Sequence, residues 1–219
     1  MVDDGSTDGS SQTCDEFAAR DPRFVIVHLP ANGGLLGARR HGIERACGEF
    51  ITFADGDDCY CDAQALERLA QSAQEKNRDI LTVAAVASGP EDRVRSTLES
   101  WNRICPIPVM TSPLKILQET FVTRRAPAWN LQTKIVRSSL ARRTLAFFPV
   151  EKITYQEDVF LYFILCFFTR DWEQECTLTP AYCYRIGPGI STAPVTLERM
   201  RIKAPDSAKV FGLLRKFLG

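Results

Sequence analysis

Histidine is nearly absent from this sequence, neither sign of charge is in excess, and no long apolar run occurs. Each shortage excludes a class of function. With two histidines in 219 residues, and none beside cysteine or acidic company at ligand spacing, a histidine-based metal centre has nothing to build on. His28 and His41 are therefore read as structural or solvated. The 27 basic side chains are matched by 27 acidic ones, so no global field draws nucleic acid. The longest apolar run, Val159 to Phe168, is about half the ~20 residues that span a bilayer, and reads as a buried helix. The opening residues are not expected to act as a signal peptide, and internal repeats and low-complexity tracts are missing. Cysteine is present, eight in all. Cys59 and Cys61 flank Tyr60 with no second pair at zinc spacing, and Cys166 lies in the apolar run. The thiols are expected to be reduced and mostly buried, as in a cytoplasmic protein.

Apolar and turn-forming segments then set the organisation. Met1-Val2 runs at once into Asp3-Asp4-Gly5-Ser6-Thr7-Asp8-Gly9, a turn-and-cap composition that normally follows a strand. Ser10 to Ala19 predicts a helix capped by Thr7 or Asp8, and Phe24 to His28 a β-branched strand closed by Pro30 and Asn32-Gly33-Gly34. A second helix is expected from Leu36 to Cys47, with Gly48 as its C-terminal cap. Phe50 to Ala54 reads as a strand of the kind buried in a parallel sheet, ending in Asp55-Gly56-Asp57-Asp58. Ala63 to Lys76 follows as a helix and Asp79 to Val86 as a strand. This alternation predicts a doubly wound α/β domain.

From Ser88 a polar stretch reaches Arg95, and Pro106, Pro108 and Pro113 punctuate a looser region. Leu114 to Phe121 looks helical, Thr179 to Ile186 is a late strand, and Gly187-Pro188-Gly189 a loop. Three portions are expected: an α/β portion over 1–87, a second portion of the same domain over 88–195, and a helical extension over 196–219. The basic, amphipathic end from Lys209 to Gly219 is expected to pack on its own domain, with contact to anionic lipid as the alternative.

In an open parallel sheet, ligands bind outside the carboxyl ends of the strands. Asp3-Asp4 and Asp55-Asp57-Asp58 each follow such an end, so both clusters should share one rim. Crowded carboxylates repel unless a cation or donor groups satisfy them. Mg²⁺ or Mn²⁺, held by one or two carboxylates plus substrate phosphates, is the natural answer. The competing reading is that Asp-Gly and Asp-Asp pairs only form turns and caps.

Val2-Asp-Asp-Gly-Ser-Thr-Asp-Gly-Ser10, Asn32-x-Gly34-Leu35-x-x-Ala38-Arg39 and Gly48-Glu-Phe-Ile-Thr-Phe-Ala-Asp-Gly-Asp-Asp58 resemble the family-2 inverting glycosyltransferases of GT-A fold. The likeness continues through Ala128-Trp-Asn130, Lys134, Tyr155-Gln-Glu-Asp158 and Tyr182-Cys-Tyr-Arg185. It covers nearly the whole chain in the family's order. The resemblance implies a donor that is a nucleotide-diphospho-sugar, with Asp4, beside Asp3, accepting from its nucleobase, typically uracil. It implies Asp55 and Asp57 as the Asp-x-Asp pair, Asp57 the direct metal ligand and Asp55 nearer the ribose, with Asp58 in support. Arg39 lies by the diphosphate or orders the loop around it. It implies Asp158 as the general base for the hydroxyl of a saccharide or glycolipid acceptor, which receives the donor sugar with inversion at that sugar's anomeric carbon. Tyr184 and Arg185 reach towards the diphosphate. Trp129 either stacks on an acceptor sugar or packs in the core.

Two departures stand out. Ala38-Arg39-Arg40 stands opposite the usual Ala-Arg-Asn, and of the strand, Pro-x-Tyr-Asn loop, helix and second strand that normally open family members only Val2 is expected to remain. That first strand lies mid-sheet, so the chain is expected to fold poorly alone or to belong to a longer protein. The alternative function is a non-catalytic remnant that binds nucleotide or serves structurally. A phosphatase and a calcium-loop protein fit less well, because the required lysine and glutamate are not in register.

Overall fold

The computed structural model describes residues 1–91, 93–94, 109–123, 129–175, 178–187 and 196–219. The expectations for Arg95, Pro106, Pro108, Ala128 and Pro188-Gly189 fall outside these. Among the described residues, nine short strands and seven helices make a mixed α/β fold, the class expected.

β1 (Val2–Asp3) and β2 (Val27–His28) form a parallel ladder of their own, separated in chain by α1 (Ser10–Arg20). β2 is shorter than expected, since Phe24 and Val25 are exposed. α1 begins after Gly9, which takes the cap position in place of the expected Thr7 or Asp8 and leaves the helix without a side-chain cap; Asp8 Oδ1 accepts instead from the Ser10 N–H at 3.1 Å.

The principal sheet has the order β3-β7-β5-β8, built from β3 (Phe50–Thr52), β5 (Ile80–Thr82), β7 (Lys134–Arg137) and β8 (Trp172–Gln174). β5 and β8 are parallel, but β7 runs antiparallel to both its neighbours. The strand after Gly48 thus sits beside an antiparallel partner, which its apolar composition did not announce. The expected single strand from Asp79 to Val86 is two strands in two sheets. After β5 the chain crosses at Val83, whose N–H donates to the Thr133 carbonyl, into β6 (Ala85–Ser88). β6 belongs to the small sheet β4-β9-β6 with β4 (Cys59–Tyr60) and β9 (Tyr182–Arg185).

α2 (Leu35–Arg45) buries Leu36, Arg39 and Ile43, a stripe at helical spacing. It ends earlier than expected. Ala46 is already extended at φ −61°, ψ 130°, and Gly48 caps nothing; its carbonyl accepts from the Ser138 hydroxyl. α3 (Ala65–Lys76) buries Ala65, Leu69 and Ala73 against Leu81, Val83 and Ile135 in a satellite core. α4 (Pro113–Leu117) continues as a π-type turn through Val122, and α5 (Ser138–Thr144) follows β7 directly.

α6 (Glu157–Phe168) is the centre of the main core. Phe160, Leu161, Ile164 and Leu165 are at most 1 % exposed and pack among Ile80, Val136, Ile153 and Trp172. Its apolar faces leave it no choice but burial. α7 (Leu197–Leu218) docks on this core through Val210 and Leu214, while Phe217 meets Phe147, Phe163, Phe167 and Phe168. The C-terminal helix packs on its own domain, as preferred. Among the described residues no helix is long and apolar enough to cross a membrane. The cysteines described, Cys14, Cys47, Cys59, Cys61, Cys166 and Cys183, are free thiols.

Candidate active site

The site is organised around one arginine. Arg39 occupies a core-facing position of α2, with its side chain 5 % exposed. From there Nη1 donates to Glu157 Oε1 at the head of α6, and Nη2 donates to Asp55 Oδ1 at 3.3 Å, just beyond β3. Residues separated by more than a hundred positions are thereby drawn together. Asp55 is held further by the Gln132 amide, which donates to Oδ2, and by the Tyr182 hydroxyl, which accepts from the Asp55 N–H at 3.2 Å.

The three aspartates after β3 have different fates. Asp55 is fixed by Arg39 and Gln132. Asp58 accepts from the Tyr182 hydroxyl at 2.5 Å and from the Arg185 N–H at 2.8 Å, so it fastens the loop to β9. Asp57 is exposed and enters no hydrogen bond or ion pair among the described residues. A hard cation shared with a ligand's phosphates requires such an unengaged carboxylate, and Asp57 fits it. The described residues contain no group of three or more histidine, cysteine, aspartate or glutamate side chains that could hold a metal ion.

Asp3 and Asp4 are occupied otherwise. Asp3, 6 % exposed, accepts from the Ser6 N–H at 3.0 Å, from the Ser11 hydroxyl, and faces His28 Nδ1 at 2.9 Å. These bonds, led by Ser11, hold its carboxyl far below the usual range. His28 Nε2 meets Asp15 at 2.9 Å, and the two carboxylates, Asp3 foremost, raise the imidazole's pKa. Asp4 accepts from the Gly33 N–H at 2.7 Å and the Gly34 N–H at 2.9 Å, one on each oxygen. It shapes the loop that starts α2. Gly34 adopts φ 82°, and a Cβ there would stand 2.9 Å from the Ile153 carbonyl. Only glycine lets this loop lie against the segment leading into α6.

Asp158 follows Glu157 in the first turn of α6. Its Oδ1 accepts from the Val159 N–H at 2.8 Å. Burial pushes both carboxyls up, with Arg39 acting in the opposite sense. Glu157 is committed to Arg39; Asp158 is partly exposed and carries no ion pair among the described residues. Gln156, which caps this helix, sits at φ 59°, an uncommon backbone for a side-chain-bearing residue that clusters at functional sites. Around the cluster Asn130 Nδ2, Gln132 Oε1 and Gln156 Oε1 are buried without partners among the described residues. Orphaned polar atoms of this kind call for a polar ligand or ordered water.

A family model described as "Glycosyl transferase family 2" matches residues 1–146. The chain belongs to glycosyl transferase family 2. Among curated relatives, this family-2 chain is 35 % identical over 161 residues to the uncharacterized glycosyltransferase EpsJ of Bacillus subtilis, covering 72 % of the chain and 44 % of that protein. It is 32 % identical over 187 residues to the putative glycosyltransferase EpsH of the same organism, covering 85 % of the chain and 51 % of the relative. The chain spans about half the length of these relatives. Among solved structures, S. aureus TarS 1–349 in complex with UDP-GlcNAc superposes with a TM-score of 0.65 at 21 % identity, over 99 % of this chain and 61 % of that one. TarS 1–349 in complex with UDP gives 0.61. These two share the fold.

Within the family-2 chain, the structure thus joins Arg39, Asp55 and Glu157 directly, with Asp158 next to Glu157 in the first turn of α6 and with Asp57 and Asp58 on the same loop as Asp55. Asp4 holds the Gly33 and Gly34 N–H groups at the start of α2, where the Leu36 N–H donates to the Ile153 carbonyl in the segment before α6. Trp129 stacks on Phe121 with centroids 6.4 Å apart and planes 7° from parallel, yet stays 36 % exposed. It anchors the fold while keeping surface free. Tyr184 feels the charges of Asp58, Asp57 and Asp55 after the larger effect of burial. Sequence reasoning singled out neither Gln132 nor Glu157 as a site residue. Glu157 was visible only as half of an acidic pair heading an apolar helix, and Gln132 carried no signal.

Proposed function

We propose that this chain transfers a sugar from a nucleotide-diphosphate donor, a UDP-sugar, to a hydroxyl of a polysaccharide or glycolipid acceptor, with inversion and with dependence on Mg²⁺ or Mn²⁺. The observation that carries the reading is the Arg39 bridge, which unites the loop beyond β3 with the carboxylates heading α6. The UDP-GlcNAc and UDP of the TarS structures support a uridine donor.

Asp158 is the general base. Inversion at the anomeric carbon needs an acceptor oxygen that attacks opposite the leaving diphosphate. Asp158 removes that hydroxyl's proton as the new C–O bond forms, and the old C–O bond breaks with its electron pair departing on the diphosphate. The raised proton affinity that burial confers suits a proton acceptor working near neutral pH. Glu157 cannot share the role while it neutralises Arg39. Arg39 and Gln132 orient Asp55 towards the ribose, and Asp4 keeps the loop at Gly33-Gly34 open to the base. Asp57 would hold the divalent ion together with the diphosphate; bound there, the ion neutralises charge on the leaving group. The outer face of α7 exposes Arg201, Lys209, Arg215 and Lys216, which supports peripheral contact with the inner face of the cell membrane, where a glycolipid acceptor would lie.

A screen of nucleotide sugars with Mn²⁺, reading donor binding and slow donor hydrolysis, tests this. Asp57→Asn is expected to weaken metal-dependent donor binding. Asp158→Asn is expected to spare binding and lower transfer by about 10²–10⁴-fold. Full activity in both variants would retire the assignment.

A further inference from the structure

The C-terminal helix reaches back to the turn that carries the base. Asp206 on α7 is 7 % exposed. Its Oδ2 accepts from the Thr154 N–H at 2.9 Å, the Thr154 hydroxyl at 2.9 Å and the Tyr155 N–H at 3.1 Å. Lys209, one turn on, donates to Asp206 Oδ1 at 3.1 Å and to the Lys152 carbonyl at 3.3 Å. The Lys203 ammonium lies 4.7 Å from the centroid of the Tyr155 ring. Directly after this anchored turn come Gln156 in its left-handed conformation, then Glu157 and Asp158. The same segment leans on the donor side: the Ile153 carbonyl accepts from the Leu36 N–H, and Lys152 bonds the Asn32 side chain.

Docking of the helix does not require this carboxylate, because Val210, Leu214 and Phe217 already fill the core. A buried carboxylate is retained at a cost that its hydrogen bonds must offset. Here burial raises the carboxyl's pKa and the bonds from Thr154 and Lys209 outweigh it, leaving the group ionised. A charged acceptor receiving two successive backbone N–H groups fixes their orientation, and therefore the direction in which the next residues leave.

We propose that Asp206 is a positioning residue of the transfer reaction: from α7 it clamps the turn at Thr154 and Tyr155, and through Gln156 sets the direction of Asp158 towards the acceptor hydroxyl. The proposal rests on the reading of Asp158 as base.

The test compares Asp206→Ala, Asp206→Asn and Val210→Ala, the last loosening the same helix through apolar contact alone. Turnover and donor KM are measured with Mn²⁺ and UDP-GlcNAc, or the nucleotide sugar the screen returns, well below each variant's melting temperature. Asp206→Ala is expected to lose about tenfold or more in kcat with donor KM within about twofold, since a small misplacement of a reacting group costs rate and not donor affinity. Asp206→Asn, whose carbonyl oxygen still accepts, restores most of the loss. Val210→Ala lowers Tm and leaves kcat near parental. Parental kcat in Asp206→Ala, or equal kcat losses in Asp206→Ala and Val210→Ala, would overturn the proposal. Asp158→Asn runs alongside: if it keeps transferring sugar, the base assignment itself fails; if it is inactive while Asp206→Ala is not, only the positioning role falls.

Discussion

At the end of β1 both carboxylates of the Asp3-Asp4 pair are taken up by surrounding backbone, serine and histidine groups, whereas beyond β3 Asp57 projects outward with its oxygens unengaged among the described residues. Both clusters follow a strand and both are rich in Asp-Gly sequence. The first shapes a loop; the second divides its aspartates between shaping the loop and facing solvent. An acidic cluster therefore announces a rim, but the hydrogen-bond donors around each carboxylate decide which of them remains available for chemistry.

The largest effect that would sharpen this contrast concerns the bridge between the clusters' surroundings. Arg39→Met leaves Glu157 buried and unpaired, and should cost about 3–5 kcal/mol in denaturant unfolding. Adding Glu157→Gln should return much of it, because the uncompensated charge is gone. If the double variant is as unstable as the single, the pair does not act as a unit.

A direct comparison of the clusters comes next. Asp4→Ala strips acceptors from the Gly33 and Gly34 N–H groups and should destabilise by about 1–3 kcal/mol. Asp57→Ala, at an exposed and unbonded position, should change stability by about 0.5 kcal/mol or less. Equal losses would erase the distinction drawn here.

The smallest effect is a pH dependence confined to the first cluster. His28 has a folded pKa above its unfolded value of about 6.5, because Asp3 and Asp15 favour the imidazolium. Its contribution is fully present below that unfolded value and is lost as pH rises through the raised folded one. Tm should decline on the alkaline side of neutrality, and His28→Gln should flatten that limb. Asp3, with its pKa depressed, acts in the opposite window: its contribution is present above about pH 3.9 and is lost as pH falls towards the lower folded value.

Much of the fold was readable from the chain. The apolar run heading from Val159 could only be buried, and α6 is indeed the heart of the core. α2 and α3 appear within a few residues of their expected bounds. What misled was strand pairing. Nothing in Phe50-Ile-Thr distinguishes a parallel from an antiparallel neighbour, since both faces are covered either way, and β7 turned out to run against it. Asp79 to Val86 reads as one continuous apolar strand because burial continues across the switch between sheets at Val83. In the site, the aspartates were found by their turn-forming company, but Gln132 and Asp206 were not, because a glutamine before a strand and an aspartate inside a helix look like any others.

The sequence by itself determined the alternation of strands and helices, the family and the candidate carboxylates, because periodicity, turn composition and ordered motifs are local properties of the chain. Only the tertiary structure decided which carboxylates are engaged and which are free, that Arg39 joins Asp55 to Glu157, and that α7 grips the turn before Asp158. Those outcomes depend on which donors distant segments bring within about 3 Å of a given oxygen, and that proximity is created by packing rather than written in any one stretch of residues.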